Sequence, residues 1–262
     1  MSDVLDLETL DGPGRAALER LILTLADSKR LMGIRYSDWL LGAPSIETGI
    51  SASSMAQDEW GHARLLYSML KDLDRDPEAY EHDRASEAYA SVSVLDDEMP
   101  DWAAVVAAMT LADGALSTVL SSFAEGTFET ARSRVSKMLA EEEFHSSLGA
   151  AWYRRLAQAE GEARKLLTAA TRSMLPALLA WVGADDEAAR LMVRAGVIAP
   201  AAERLLAYRH AVRDLTALVD VDVDAVEPDP AWDPARGRAP GRPSEESVER
   251  ARGDRNRALF VE

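Results

Sequence analysis

Gln57-Asp58-Glu59-Trp60-Gly61-His62 and Glu141-Glu142-Glu143-Phe144-His145 are two stretches of this 262-residue chain that share the pattern Glu-x-x-His. On an α-helix, residues three positions apart lie on one face, so each stretch places a carboxylate and an imidazole one turn apart. Two such pairs on two helices are typical of four-helix bundles that hold two iron or manganese ions. The pattern therefore predicts an all-α fold built around a buried layer of metal-ligand side chains.

The composition narrows the classes of protein to which the chain can belong. Apolar residues make up 47% of the sequence, which is enough for one sizeable core. The net charge of −16 argues against a nucleic-acid partner, since phosphate binding needs a basic surface. The chain has no cysteine, which excludes disulfides, thiolate metal sites and cysteine nucleophiles.

The sequence favours a cytoplasmic location. The first residues, Met-Ser-Asp-Val-Leu-Asp, lack the basic and apolar regions of a secretory signal. We also expect no apolar run long enough to span a bilayer, and hence no membrane association.

Helix-breaking residues divide the chain into long helical segments. Four long helices are predicted at 15–41, 46–73, 101–124 and 128–159, with a short one at 85–92 and further helices at 162–182, 185–196 and 199–218. We expect residues 1–218 to form a helical domain whose core bundle covers about 15–160. Residues 219–262 form a Pro/Gly/Arg-rich tail, predicted from composition to be extended or disordered up to a polar terminal helix at 244–259.

Each long helix carries a seam of residues at alternating steps of three and four, the spacing of a core-facing stripe. In chain order the seams are Leu18, Ile22, Leu25, Lys29, Met32, Tyr36; Met55, Glu59, His62, Leu66, Met69, Leu73; Val106, Met109, Asp113, Leu116, Leu120, Phe123; and Met138, Glu142, His145, Gly149, Trp152, Leu156. Every seam is apolar except near its middle, where ionisable residues interrupt it.

The turns between the helices predict which ionisable residues lie level with one another. If the first two helices fold back at Gly42-Ala43-Pro44, Lys29 lies beside Glu59. If the next two fold back near Gly126, Asp113 lies beside Glu142. Packing of the two hairpins would then gather six ionisable side chains in one buried layer.

A buried carboxylate must be neutralised, paired or bound to a metal, because burying it alone costs several kcal/mol. Carboxylates with imidazoles suit iron or manganese. Asp27 is an alternative ligand on the first helix, but it points to the side opposite Lys29. We expect His82 and His210 to be solvated surface residues rather than ligands.

Longer stretches carry a resemblance to a known family. Ala26-Asp27-Ser28-Lys29-Arg30-Leu31-Met32-Gly33-Ile34-Arg35-Tyr36-Ser37-Asp38-Trp39 and the stretch from Ala56 to Tyr67 resemble the phenylacetic acid catabolic protein family, and Leu111-Ala112-Asp113-Gly114-Ala115 extends the likeness. The family consists of ferritin-like subunits of ring-1,2-phenylacetyl-CoA epoxidase, a multicomponent oxygenase. The resemblance covers about residues 15–160 and implies a ferritin-like four-helix bundle with additional C-terminal helices.

The resemblance also implies roles for individual residues. The metal-ligand positions of the catalytic subunit fall on Glu59, His62, Asp113, Glu142 and His145. At the sixth position, where that subunit has a ligand Glu, this chain has Lys29. A companion subunit of the family has lost its metal site, and Gly33-x-Arg35-x-Ser37-x-Trp39 is more similar to the companion.

Three functions follow as alternatives. The chain is a catalytic oxygenase subunit with a di-iron or single-metal site of iron or manganese; a non-catalytic scaffold subunit in which Lys29 pairs with the carboxylates and no metal is needed; or a free-standing ferritin-like di-iron oxidase. By resemblance, the partners of the first two are a homologous ferritin-like subunit, a reductase and a CoA thioester substrate, in a homo- or hetero-oligomer.

Overall fold

The computed structural model describes residues 4–253, and none of these residues lies in a strand. The all-α, ferritin-like class predicted from the sequence is confirmed. The helices are α1 (Gly12–Asp38), α2 (Ile46–Tyr67), α3 (Pro77–His82), α4 (Trp102–Ala107), α5 (Asp113–Glu125), α6 (Glu129–Gln158), α7 (Glu162–Val182), α8 (Glu187–Arg194), α9 (Ala201–Ala217) and α10 (Glu245–Arg252).

The helix ends follow local chemistry. Asp101 caps α4 as predicted, since its Oδ1 accepts a hydrogen bond from the Ala104 amide at 2.8 Å. The predicted second helix changes to a 3₁₀ helix at Ser68–Leu73. The short helix predicted at 85–92 is reduced to a 3₁₀ turn at Ser86–Ala88, and the α-helix of this connector is α3, where Asp76 caps and Pro77 takes the first turn.

The chain forms two compact units. The first, called the α1–α2 unit, comprises Leu7–Glu98 and residues 240–253, and the second, called the α5–α6 unit, comprises residues 4–6 and Met99–Ala239. The predicted boundary at residue 218 stays a prediction.

In the α1–α2 unit, α1 and α2 form a hairpin, and all six seam residues of α1 are fully buried. The terminal helix α10 packs against α1, where Arg30 Nε donates to the Ala251 carbonyl at 2.6 Å and Arg35 donates to Ser247 Oγ at 3.0 Å. These contacts give the polar helix the partner surface it needs. The predicted end of this helix at residue 259 lies outside the described residues.

In the α5–α6 unit, α4 and α5 are joined without a break by a π-helical turn, Ala108–Ala112. Helices α5 and α6 form the second hairpin, and α7 and α9 pack against it. The stretch predicted to be an extended or disordered linker buries Val219, Val221 and Val223. Val219 and Val223 lie in turns on either side of Val221, so this part of the stretch is folded against the core.

The α4–α5 segment tests the expectation that no apolar run of the chain is long enough to span a bilayer. Trp102–Glu125 is long and apolar enough to cross a membrane, so the expectation that no such run exists is wrong. Within the structure 83% of its apolar window is buried, as in the core helix of a globular protein.

Candidate metal centre

Lys29, Glu59 and His62 form what is called here the lysine cluster of the α1–α2 unit. Lys29 Nζ lies 3.1 Å from Glu59 Oε1, and both side chains have 0% exposure. The hairpin therefore brings Lys29 level with Glu59, as the turn at Pro44 predicted. His62 follows one helical turn later and is also buried.

Asp113, Glu142 and His145 form the aspartate cluster of the α5–α6 unit. Asp113 comes directly after the π-helical turn, a feature frequent at functional sites because its extra residue re-aims the side chains that follow. On α6, Gly149 lets this turn come close, since a Cβ there would lie 3.3 Å from the backbone of Met109. The absence of a side chain at Gly149 thus permits this close approach of the π-helical turn to α6.

The aspartate cluster is compact and almost fully buried. His145 Nδ1 lies 3.3 Å from Asp113 Oδ2 and 3.6 Å from Glu142 Oε2. Each of the three side chains offers a ligand atom within 4.8 Å of the others. The fold of α5 back onto α6 thus brings Asp113 and Glu142 into one cluster.

The donor chemistry of the two clusters differs. Two carboxylates and an imidazole form a set that suits iron or manganese, so the aspartate cluster could bind a metal ion. In the lysine cluster an ammonium group already neutralises Glu59, and it would repel a divalent cation placed there. The ligand assignment as a whole stays a prediction.

The seam of α6 departs from its predicted course beyond Gly149. Trp152 and Leu156 are half-buried, while Tyr153 and Ala157 are buried in their place. A straight α-helix drifts by about 20° per heptad from a strict seven-residue repeat. Over the 30 residues of α6 this drift moves the core-facing stripe by one position.

Asp27 belongs to a separate buried network in the α1–α2 unit. Arg84 forms an ion pair with it, Tyr67 Oη donates to its Oδ1 at 2.5 Å, and the Ala90 amide donates to its Oδ2 at 2.8 Å. Burial, followed by the charge of Asp27, raises the pKa of Tyr67 well above its ordinary value. Asp27 thus anchors the connector after α3, a role that the sequence did not reveal because Arg84 is distant in the chain.

The two remaining histidines, His82 and His210, differ in their exposure to solvent. His210 is exposed, as predicted. His82 is only 17% exposed in its side chain, and its Nδ1 lies 3.0 Å from the Arg252 carbonyl oxygen. The prediction that His82 is a solvated surface residue is therefore wrong, because α10 covers it.

Sequence reasoning also missed a cleft in the α5–α6 unit. It has a volume of about 800 Å³, and Asp113 and Glu142 are part of its lining. Ser117, also in the lining, donates from Oγ to Glu142 Oε2 at 3.2 Å. In the sequence, the signal for this cleft is Ser117, a hydroxyl side chain one helical turn after Asp113 on a core helix.

The chain was compared with models of known protein families. A family model described as phenylacetic acid catabolic protein matches residues 1–228. No curated protein matches the chain significantly.

Proposed function

We propose, because this chain belongs to the phenylacetic acid catabolic protein family, that it is the companion subunit of a phenylacetyl-CoA epoxidase-like oxygenase in the cytoplasm. The family places the chain in phenylacetate catabolism, and the companion role is the further step. In that role the chain supports a homologous catalytic subunit and does not itself carry out the oxygenation.

The observation that carries this proposal is the ion pair of Lys29 with Glu59. By resemblance, the catalytic subunit has a ligand Glu at the position of Lys29. Exchange of that carboxylate for an ammonium removes one ligand and adds a positive charge next to a second. Because both side chains are fully buried, the pair is a permanent part of the core.

The aspartate cluster keeps a donor set of its own. Asp113, Glu142 and His145 would hold one divalent cation. When bound, the ion would neutralise two buried carboxylates, which otherwise cost stability. We therefore propose a degenerate site with room for one cation instead of two.

The proposed partners are a homologous ferritin-like subunit and, through it, a reductase and a CoA thioester. Co-purification with the homologous subunit as a stoichiometric complex would support this assembly. A chain that stays monomeric in the presence of that subunit and consumes oxygen alone would instead be a free-standing oxidase.

A catalytic role is the second candidate, favoured by the burial of Glu59 and His62 in the α1–α2 unit, since both are ligand-like side chains. Metal analysis of protein produced with iron separates the two candidates. We expect at most one bound iron or manganese ion per chain. Two tightly bound ions per chain would overturn the companion proposal.

A substitution tests the role of Lys29 directly. Lys29→Glu should raise the bound metal toward two ions per chain, because it restores a carboxylate and removes the ammonium. Lys71→Glu makes the same charge change on an exposed position of the same unit and should leave the metal content unchanged. A folded Lys29→Glu protein with no more metal than wild type would contradict the replacement of a metal by Lys29.

A further inference from the structure

The side chains that line the cleft of the α5–α6 unit are exposed at its outer end and buried at its inner end. Three of its carboxylates, Glu125, Glu143 and Glu203, are exposed. Asp113 and Glu142 in the same lining are 2% and 4% exposed. The cleft thus connects solvent with the two carboxylates of the aspartate cluster.

Hydroxyl groups line much of the cleft. They belong to Thr110, Ser117, Thr118, Ser121, Ser122, Ser146 and Ser147. Hydroxyl and carboxylate oxygens are atoms that bind hydrated hard cations. The polar side chains of the lining therefore give a hydrated cation oxygen atoms to contact along the cleft.

Acidic side chains outnumber basic ones in the lining of the cleft. Arg204 is the only cationic side chain among the described residues that line it. Its guanidinium is held by backbone carbonyls, with Nε 3.0 Å from the Val182 oxygen and Nη2 2.9 Å from the Ala184 oxygen. Burial lowers its pKa. The carboxylates thus outnumber the guanidinium, and the resulting field repels phosphate groups and attracts cations.

At its inner end the cleft is built around Glu142. The Ser117 hydroxyl donates to Glu142 Oε2, the oxygen that also lies 3.6 Å from His145 Nδ1. A hydroxyl in this position orients the carboxylate toward the aspartate cluster.

We propose that the cleft is the path by which a hydrated divalent cation reaches and leaves the aspartate cluster. The proposal rests on the single-cation site of the proposed function. In this path the exposed carboxylates attract the ion, and the hydroxyl groups replace water molecules of its hydration shell. The proposal also makes this face of the α5–α6 unit unsuitable for the phosphates of a CoA thioester.

Gly114 allows the path to be blocked without disturbing the core. It follows Asp113 in the cleft lining, and a Cβ added to it meets nothing within 4 Å. Gly114→Met would place a flexible side chain in the cleft while improving the helix propensity of α5. Gly61→Met is the matched control, because Gly61 is also helical, has the same open surroundings and is exposed in the α1–α2 unit.

The experiment measures Mn²⁺ binding to the full-length, metal-stripped protein. Stopped-flow quenching of tryptophan fluorescence gives the association rate, and the electron paramagnetic resonance signal of free Mn²⁺ gives the equilibrium constant. Gly114→Met should slow association by about tenfold or more, since the ion must wait for the side chain to move. Dissociation should slow equally, leaving Kd unchanged, and Gly61→Met should match wild type.

Removal of the negative charges at the outer end of the cleft tests the path by an independent change in the rate of Mn²⁺ association. The triple variant Glu125→Gln, Glu143→Gln and Glu203→Gln should slow association about tenfold at low salt and less at high salt. Wild-type rates in both Gly114→Met and the triple variant would overturn the path and leave the single-cation site intact. No Mn²⁺ binding to wild type would overturn both the site and the path, while assembly with the partner subunit would still test the companion role.

Discussion

The two Glu-x-x-His motifs have the same spacing and the same burial, yet their surroundings give them opposite chemistry. In the α1–α2 unit, the neighbouring helix presents Lys29 to Glu59. In the α5–α6 unit, the neighbouring helix presents Asp113 to His145. The Glu-x-x-His spacing thus buries a carboxylate and an imidazole together in both units. The residue on the neighbouring helix decides whether they meet an ammonium group or a further carboxylate that could help to bind a metal ion.

The largest expected effect comes from breaking the lysine cluster. Lys29→Met would leave Glu59 buried without its ammonium partner, which we expect to lower the free energy of unfolding by about 3–5 kcal/mol. Urea titration at neutral pH measures this loss. The double variant Lys29→Met with Glu59→Gln should recover most of it, because it removes both charges. A double variant as unstable as the single one would show that the volume of Lys29, not its charge, matters.

The corresponding change in the aspartate cluster should act on metal affinity. Loss of an outer hydrogen-bond partner already weakens metal sites about 10- to 100-fold, so loss of the ligand in Glu142→Gln should raise the Mn²⁺ Kd by about 100-fold or more. Glu141→Gln is the matched control, since Glu141 precedes it and forms an exposed pair with Lys137. Equal Mn²⁺ affinity of the two variants would remove Glu142 from the site.

Two buried tyrosines extend the comparison to alkaline pH. Burial raises the pKa of Tyr153 in the α5–α6 unit to about 12 from an ordinary value of 10.0, although a hydrogen bond with Thr171 opposes the shift. Since the folded-state pKa is raised, the stabilisation is fully present below about pH 10 and is lost as pH rises through about 12. The loss amounts to about 2–3 kcal/mol.

Tyr153→Phe should therefore flatten the decline of stability between about pH 10 and pH 12, measured by urea titration at each pH. Tyr67→Phe should also flatten it, but at a cost already visible at pH 8, because Tyr67 donates to the buried Asp27. An unchanged slope in Tyr153→Phe would contradict the role of burial.

The parts of this structure that were predictable depend on residues close in sequence. The seams of α1, α2 and α5, the cap at Asp101 and the level pairing of Lys29 with Glu59 all follow from helical spacing and one turn. The ion pair was predictable because Gly42-Ala43-Pro44 leaves a single short connection about which α1 and α2 can fold back.

The features that were not predictable depend on residues distant in sequence or on backbone geometry. Arg84 reaches Asp27 from 57 positions away, and the cleft requires α9 to lie beside α5. The π-helical turn at Ala108–Ala112 has no distinguishing residues, since its Ala-Met-Thr-Leu-Ala sequence fits an ordinary α-helix equally well. The turn lies close to Gly149 of α6, a contact between residues distant in sequence.

The smallest expected effects concern the helix starts of the two units. Asp101 Oδ1 accepts from Ala104 N at 2.8 Å, whereas Ser45 Oγ accepts from Thr48 N at 3.3 Å. A carboxylate at a helix N-terminus also gains from the helix dipole, which a hydroxyl does not. We therefore expect Asp101→Ala to cost about 1–2 kcal/mol and Ser45→Ala about 0.5–1 kcal/mol.

Urea titration of Asp101→Asn separates the two contributions at Asp101, because asparagine keeps the hydrogen bond and loses the charge. A variant that retains most of the wild-type stability would assign the cap to the hydrogen bond, and a loss equal to that of Asp101→Ala would assign it to the dipole. A larger loss in Ser45→Ala than in Asp101→Ala would contradict the ranking. In that case the start of α2 contributes more to stability than the start of α4, and the α1–α2 hairpin depends on its cap as well as on the buried lysine pair.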